Sequence, residues 1–141
     1  MNLLAPAATA LALFAAAPVL AQSTQADITL SFDTGARTGA VMVALYDSEA
    51  AYSGGAPVRA VRIDAAAGPV VASFQDLPAG DYGMKSFHDL NGDGEMNVNP
   101  FGMPIEPYAF SNNAVGAMGP ASWERARFAA SGATAQTISI R

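Results

Sequence analysis

Apolar and polar residues alternate with a period of two in short runs, and Gly or Pro separates each run from the next. Residues 26–32 set Ile28, Leu30 and Phe32 against Thr29 and Ser31, the pattern of a half-buried strand. Residues 39–47 set Val41, Val43 and Leu45 against Ala40, Met42, Ala44 and Tyr46. Both sets are apolar, which predicts a central strand covered on both faces. Residues 58–65, 70–74 and 81–89 read as three more strands, the last with Tyr82, Met84, Ser86 and His88 opposite Lys85 and Phe87. Ser53-Gly54-Gly55 marks a loop, Gly68-Pro69 a turn and Leu77-Pro78-Ala79-Gly80 a tight connection. Residues 123–130 and 134–140 read as two closing strands, with Ile138 and Ile140 opposite Ser139. Long helical periodicity is absent, and residues 122–127 suffice for one turn at most. About seven short strands with Gly/Pro turns predict an all-β, antiparallel β-sandwich. So few strands, ending on the charged Arg141, argue against an outer-membrane barrel.

Residues 1–21 read as a signal peptide. An apolar run over residues 3–17 is broken by Pro18, and Val19-Leu20-Ala21 places small residues at the −3 and −1 positions. Cleavage is therefore expected between Ala21 and Gln22, although no Lys or Arg precedes the apolar run. Pro6 and Pro18 bracket only about a dozen residues, dominated by Ala, whereas a spanning helix needs roughly twenty strongly apolar ones. The expectation is a periplasmic or secreted protein with no membrane span after cleavage. Residues 22–141, about 120 in number, have the length of one domain with a core of its own.

The leader has no ionisable side chain, so the net charge of −5 belongs entirely to the remainder. Such acidity argues against nucleic acid or anionic lipid as partner, since both require clustered Lys and Arg. Lys85, Arg125 and Arg127 are too few to make an anion patch. There is no cysteine, hence no disulfide framework and no thiol chemistry.

Residues 90–122 break the strand rhythm. Loops of this length in a compact domain are functional or packed by their own side chains. Phe101, Met103, Ile105, Tyr108 and Phe110 favour the packed version. At its start, Asp89, Asn91, Asp93, Glu95 and Asn97 occupy relative positions 1, 3, 5, 7 and 9 of an EF-hand-type calcium loop, with Gly94 at the sharp turn. Hard oxygen ligands suit Ca2+, the one cofactor suggested anywhere in the chain. The twelfth position, which should be a bidentate carboxylate, is Pro100, and Glu106 is the nearest acid able to fold back. The alternative is a turn in which Asp and Asn cap their own backbone amides.

His88 is the only histidine and adjoins Asp89, but strand neighbours point to opposite faces, which disfavours a direct relay. No nucleophile elbow surrounds Ser111, and Ser111-Asn112-Asn113 reads as a polar turn. Trp123 suits core or a lid on a sheet edge, with carbohydrate stacking as the alternative. No phosphate-binding glycine motif is present.

Phe74-x-x-Leu77-Pro78-x-Gly80-x-Tyr82 resembles the strand–turn–strand signature of transthyretin-like and carboxypeptidase-regulatory-like sandwich domains. Phe87-His88-Asp89-Leu90-Asn91-Gly92-Asp93-Gly94, followed by Gly102-Met103-Pro104-Ile105-Glu106-Pro107-Tyr108-Ala109-Phe110-Ser111-Asn112-Asn113, resembles the bacterial family catalogued as domain of unknown function 2141. The run from Pro120 to Phe128 matches that family's next segment with its spacing displaced by one at Ser122, and Ile105 stands where the family commonly has Lys. The resemblance implies an exported, single-domain β-sandwich from a Gram-negative-type bacterium and no established activity.

Three functional readings follow. The first is a non-enzymatic module of the cell envelope that binds an unknown envelope or extracellular ligand, with His88, Glu106, Tyr108, Phe110 and Trp123 as surface candidates. The second is a Ca2+-dependent module using the loop at Asp89. The third is a hydrolase that pairs His88 with a carboxylate such as Glu106.

Overall fold

Strand β1 (Gln25–Thr34) buries Ala26, Ile28, Leu30 and Phe32 in turn, as a period of two requires. A computed structural model describes residues 23–141; the expected leader and its cleavage point at Ala21 and Gln22 lie outside the described residues. The remaining strands are β2 (Ala40–Tyr46), β3 (Arg59–Asp64), β4 (Val70–Pro78), β5 (Gly80–Asp89), β6 (Tyr108–Phe110), β7 (Phe128–Ala130) and β8 (Gly132–Ile140). They form two facing sheets, the expected β-sandwich. One sheet has the order β4-β1-β8, and the other runs β3-β2-β5. The free edge of β5 in that second sheet is shared. Strand β7 pairs with its residues 80–82 and β6 with its residues 85–87.

Every pairing is antiparallel except β1 with β8, which run parallel in register from Ala26↔Gly132 to Thr34↔Ile140. Strands β4 and β5 do not pair with each other. The tight connection at Leu77-Pro78-Ala79-Gly80 therefore carries the chain from one sheet to the other. It is fixed by Tyr82, whose hydroxyl donates to Pro78 O (2.6 Å), and by Ala79 N–H donating to Thr24 O (3.0 Å).

Two helical turns appear where the sequence reads as loop and strand. Helix α1 (Glu49–Gly54) starts at Ser48, whose Oγ accepts from Ala51 N–H (3.3 Å), a standard N-cap. Helix α2 (Trp123–Ala126) takes the first half of the expected strand at 123–130 and leaves only β7 as strand. The eighth strand, β6, lies inside the long segment and is too short to show a period.

Side chains from both sheets meet in one core, with Ile28, Leu30, Phe74 and Ile138 facing Val41, Val43, Leu45 and Met84. A second, smaller cluster joins α1, α2 and β6 through Tyr52, Phe110, Ala121, Trp123 and Ala126. Its aromatic contacts run from Tyr46 to Tyr52 and from Tyr52 to Trp123, each with ring centroids 5.6 Å apart. No helix among the described residues is long and apolar enough to cross a membrane.

Candidate functional site: a groove on the outer sheet face and the loop that borders it

The two sheets differ on the faces turned away from the core. The outward residues of the β4-β1-β8 sheet include Thr29, Ser31, Ser73, Thr137 and Ser139, which suit water. Those of the larger sheet include Met42, Ala44, Tyr46, Phe87, Tyr108 and Phe110. The expectation that β2 is apolar on both sides is met, and its outer side chains are half-buried. What covers them is the segment 90–122, and between segment and sheet lies a groove of about 1140 Å3.

The segment does not pack by its own apolar side chains as expected. Phe110 is buried, but Phe101 is 89 % exposed, Met103 and Ile105 are each 63 % exposed, and Tyr108 is 41 % exposed. Hydrogen bonds hold the loop instead, and this frees the apolar residues to face outward. Of the six methionines in the chain, Met42, Met96, Met103 and Met118 line the groove.

The loop is organised at Asp89. This residue has outward strand parity yet is fully buried, and its Oδ1 and Oδ2 accept from Gly92 N–H (2.7 Å) and Gly94 N–H (2.8 Å). Asn91 Oδ1 accepts from Asp93 N–H (3.1 Å), and Asp93 Oδ1 accepts from Glu95 N–H (2.9 Å). Asn91 and Asn97 both donate side-chain N–H groups to Asp93 Oδ2, and Asn91 also donates to Asn97 Oδ1 (2.8 Å). The Asn97 amide and the Glu95 N–H hold the Asp93 carboxyl below its ordinary pKa. Glu106 does fold back onto this loop. It is buried, its Oε1 accepts from Leu90 N–H (2.9 Å) and its Oε2 from Asn97 N–H (3.1 Å). Asp89, Asn91 and Asp93 thus cap backbone amides of their own loop and Asn97 joins them through its side chain, whereas Glu95 contributes only its N–H. Among the described residues, no three His, Cys, Asp or Glu side chains are gathered closely enough to hold a metal ion.

The far end of the loop is fastened by Ser111-Asn112-Asn113, a 3-10 turn following β6. Buried Ser111 Oγ accepts from Met84 N–H (2.9 Å) and donates to Ala126 O (2.5 Å). Asn112 donates its side-chain amide to the carbonyls of Arg125, Ala126 and Arg127, satisfying the end of α2. Asn113 meets β8 as another strand would, donating to Thr137 O (2.9 Å) and accepting from Ser139 N–H (2.8 Å). Both asparagines have positive φ, a conformation their short polar side chains tolerate better than most. The polar turn is a three-way staple between β5, α2 and β8.

Lys85 is the chain's only lysine and stands in the groove on an otherwise apolar row, opposite Ala44 and Phe110. Its ammonium lies 4.3 Å from the Tyr52 ring centroid and 5.3 Å from that of Tyr46, and it donates to Tyr52 O (2.5 Å). Partial burial lowers its pKa. Lys85 forms no ion pair among the described residues. Neither Lys85 nor Arg62, the other cation of the groove, was singled out as a ligand-binding residue in the sequence. The available signal was a lysine on an apolar outer face, together with methionines at 96, 103 and 118 in a segment otherwise rich in Gly, Pro and Asn.

The other expected site residues are placed as follows. His88 is buried, and its Nε2 donates to Thr38 O (2.6 Å), since a carbonyl can only accept. It points into the core while Asp89 points into the loop, as strand parity requires. Trp123 is buried against Tyr52 and packs over Gly83, where a Cβ would come within 2.8 Å of the indole. Tyr108 and Phe110 share the groove wall with ring centroids 5.8 Å apart.

Two facing sheets, one with a loop-bordered groove on its outer side, define a β-sandwich domain with a single elaborated face. The chain belongs to the family described as "Uncharacterized protein conserved in bacteria (DUF2141)", whose family model matches residues 33–139. No curated protein and no solved structure gives a significant match to it.

Proposed function

We propose that this chain is an exported, non-enzymatic binding module of the cell envelope, and that its ligand lies in the groove between the larger sheet and the segment 90–122. One observation carries this reading: the outer sheet face is apolar although the inner face already forms the core, and the loop beside it presents Phe101, Met103 and Met118 to solvent. Contiguous exposed apolar surface is characteristic of binding sites. Methionine suits such a surface, because its unbranched, polarizable side chain re-packs around a guest. Export is inferred from the leader sequence at residues 1–21.

The loop motif has a structural task in this reading. Asp89, Asn91, Asp93, Asn97, Glu106 and the Ser111-Asn112-Asn113 turn hold the segment open over the sheet. The calcium reading has less support, since Glu106, the acid able to stand in for Pro100, spends both carboxylate oxygens on the N–H groups of Leu90 and Asn97. The hydrolase reading has less support, since His88 Nε2 and both Glu106 oxygens engage backbone groups.

The test is binding of Nile red, a neutral apolar dye, by the wild type and by Met42→Asp, which places a carboxylate on the groove floor. Enhanced, saturable fluorescence in the wild type and its loss in a variant that melts normally is the expected result. Equal dye binding by the two, or none by either, overturns the reading. An esterase and glycosidase screen of wild type and His88→Ala tests the enzymatic alternative, for which equal background rates are expected.

A further inference from the structure

We propose that the ligand of this groove is an anionic amphiphile, with one acidic head group seated on Lys85 and a single unbranched apolar tail running along Met42 and Phe87 towards the loop methionines. The inference rests on the groove reading above and specifies its ligand.

Charge complementarity carries the head group. The chain has net charge −5, yet the only charged side chains lining the groove are the cations Lys85 and Arg62, and no carboxylate lines it. Lys85 is partly desolvated, stacked on two tyrosine rings and satisfied by one backbone carbonyl. An ammonium has three donors, so two remain for a guest. A half-buried cation without an anionic partner has lost hydration that one carbonyl and two ring faces replace only in part, and an incoming carboxylate or phosphate replaces the rest. The lowered pKa of Lys85 agrees with that unmet desolvation. One lysine and one arginine suit a single head group and are too few for a polyanion.

The row order sets the tail. Strand pairing places Lys85 on the row with Ala44, and Met42 with Phe87 on the next row towards Asp89. The loop adds Met96, Phe101 and Met103 to the lining of the same groove. After Lys85 the next outward side chains are Phe87 on β5 and Met42 on β2, both apolar, with Arg62 of β3 beside Met42, and Asp89 beyond them is turned into the loop, where it accepts from Gly92 and Gly94. The groove of about 1140 Å3 is larger than most small-ligand pockets, as an extended tail requires. A monomeric acid fits better than a membrane surface, because an acidic protein is repelled by anionic bilayers.

The probes are dodecanoate, dodecyl phosphate and dodecanol, each below its aggregation threshold. Binding is read from Trp123, the single tryptophan, and by calorimetry on the full chain. Both acids are expected to bind at least tenfold more tightly than dodecanol. Lys85→Met keeps the length and apolar stem of the side chain and is expected to erase that ratio while retaining dodecanol binding. Vesicles of phosphatidylglycerol are expected not to bind. Equal affinity for acid and alcohol overturns the head-group assignment and leaves the groove reading intact. Selectivity that survives in Lys85→Met overturns the role of Lys85. Capture by vesicles without binding of dodecanoate overturns the monomeric ligand, and failure of all three dodecyl probes together with Nile red removes both readings.

Discussion

Glu106 accepts from the N–H of Leu90, sixteen residues earlier, at 2.9 Å, and its second oxygen reaches Asn97 N–H at 3.1 Å. One buried carboxylate thus ties the two ends of the Asp89 turn to the strand that follows. Replacement by Ala leaves two amides without acceptors in a partly buried setting. Each such loss costs about 1–3 kcal/mol, so Glu106→Ala is expected to destabilise by about 2–4 kcal/mol in urea unfolding, and Glu106→Gln by less. Wild-type stability in Glu106→Ala would show that the contact holds nothing.

Calcium is expected not to change stability. Asp89, Asn91 and Asp93 already close the turn through backbone amides. The melting temperature should therefore agree in EDTA and in millimolar Ca2+. A ligand at a hundredfold excess over Kd would stabilise the folded state by about 2.7 kcal/mol, which is several degrees for a domain of this size. A shift of that size would assign the loop to calcium instead.

Ser111 joins β5 to α2 by accepting from Met84 N–H and donating to Ala126 O. Ser111→Ala leaves Met84 N–H without an acceptor in a fully buried position and leaves Ala126 O with the Asn112 amide alone. A loss of about 2 kcal/mol or more is expected, with faster amide exchange at Met84. A shift of less than about 0.5 kcal/mol, normal for a surface site, would refute the staple.

Gly39 precedes β2 with φ +71°, and a Cβ there would lie 2.0 Å from the Asp89 carbonyl oxygen. Gly39→Ala combines left-handed strain with a clash against backbone. It should cost about 2 kcal/mol or more and move the amide resonances of residues 89–94. Unchanged loop resonances would show that the approach of β2 does not set the turn.

Burial, and then the neighbouring Tyr46, push the Tyr52 pKa up to about 12. The folded state keeps a proton that the unfolded chain releases near the ordinary value of 10.0, so this contribution is complete below pH 10 and is lost as pH rises through about 12. Lys85 acts oppositely: its lowered pKa makes stability rise with pH just below 10.5. Absorbance titration at 295 nm should show a late tyrosine step that Tyr52→Phe removes. Its persistence in that variant would assign the step elsewhere.

The parts of the structure legible in the sequence are those that depend on local periodicity. Alternation at 26–32 and 81–89 sets the buried faces of β1 and β5, and the two apolar sides of residues 40–46 foretell that β2 is covered twice. Pairing across long separations leaves no local trace. The parallel union of β1 with β8 and the passage of Leu77-Pro78-Ala79-Gly80 between sheets are visible only in space. The short strand β6 has no period to read, and α2 hides in a sequence of mixed propensity. In the loop, Asx and Gly spacing fits a metal ring and a self-capped turn equally well, because both need short oxygen side chains converging over a tight backbone. The groove was illegible for a different reason. Its floor comes from β2, β3 and β5 and its rim from residues 96–120, so no single stretch carries it.

Strand β1 is the middle of its sheet, and its parallel partner begins about a hundred residues later, Ala26 facing Gly132. The sheet therefore has no complete centre until β8 has arrived. Closing so long a loop before any contact rewards it makes folding slow and all-or-none. A ribosome-bound or partly translocated chain lacking β8 leaves one edge of β1 open, with Ile28, Leu30 and Phe32 uncovered by Ile138 and Ile140. Were the chain to cross a membrane unfolded, as the proposed export would allow, this architecture would postpone the native state until passage was finished.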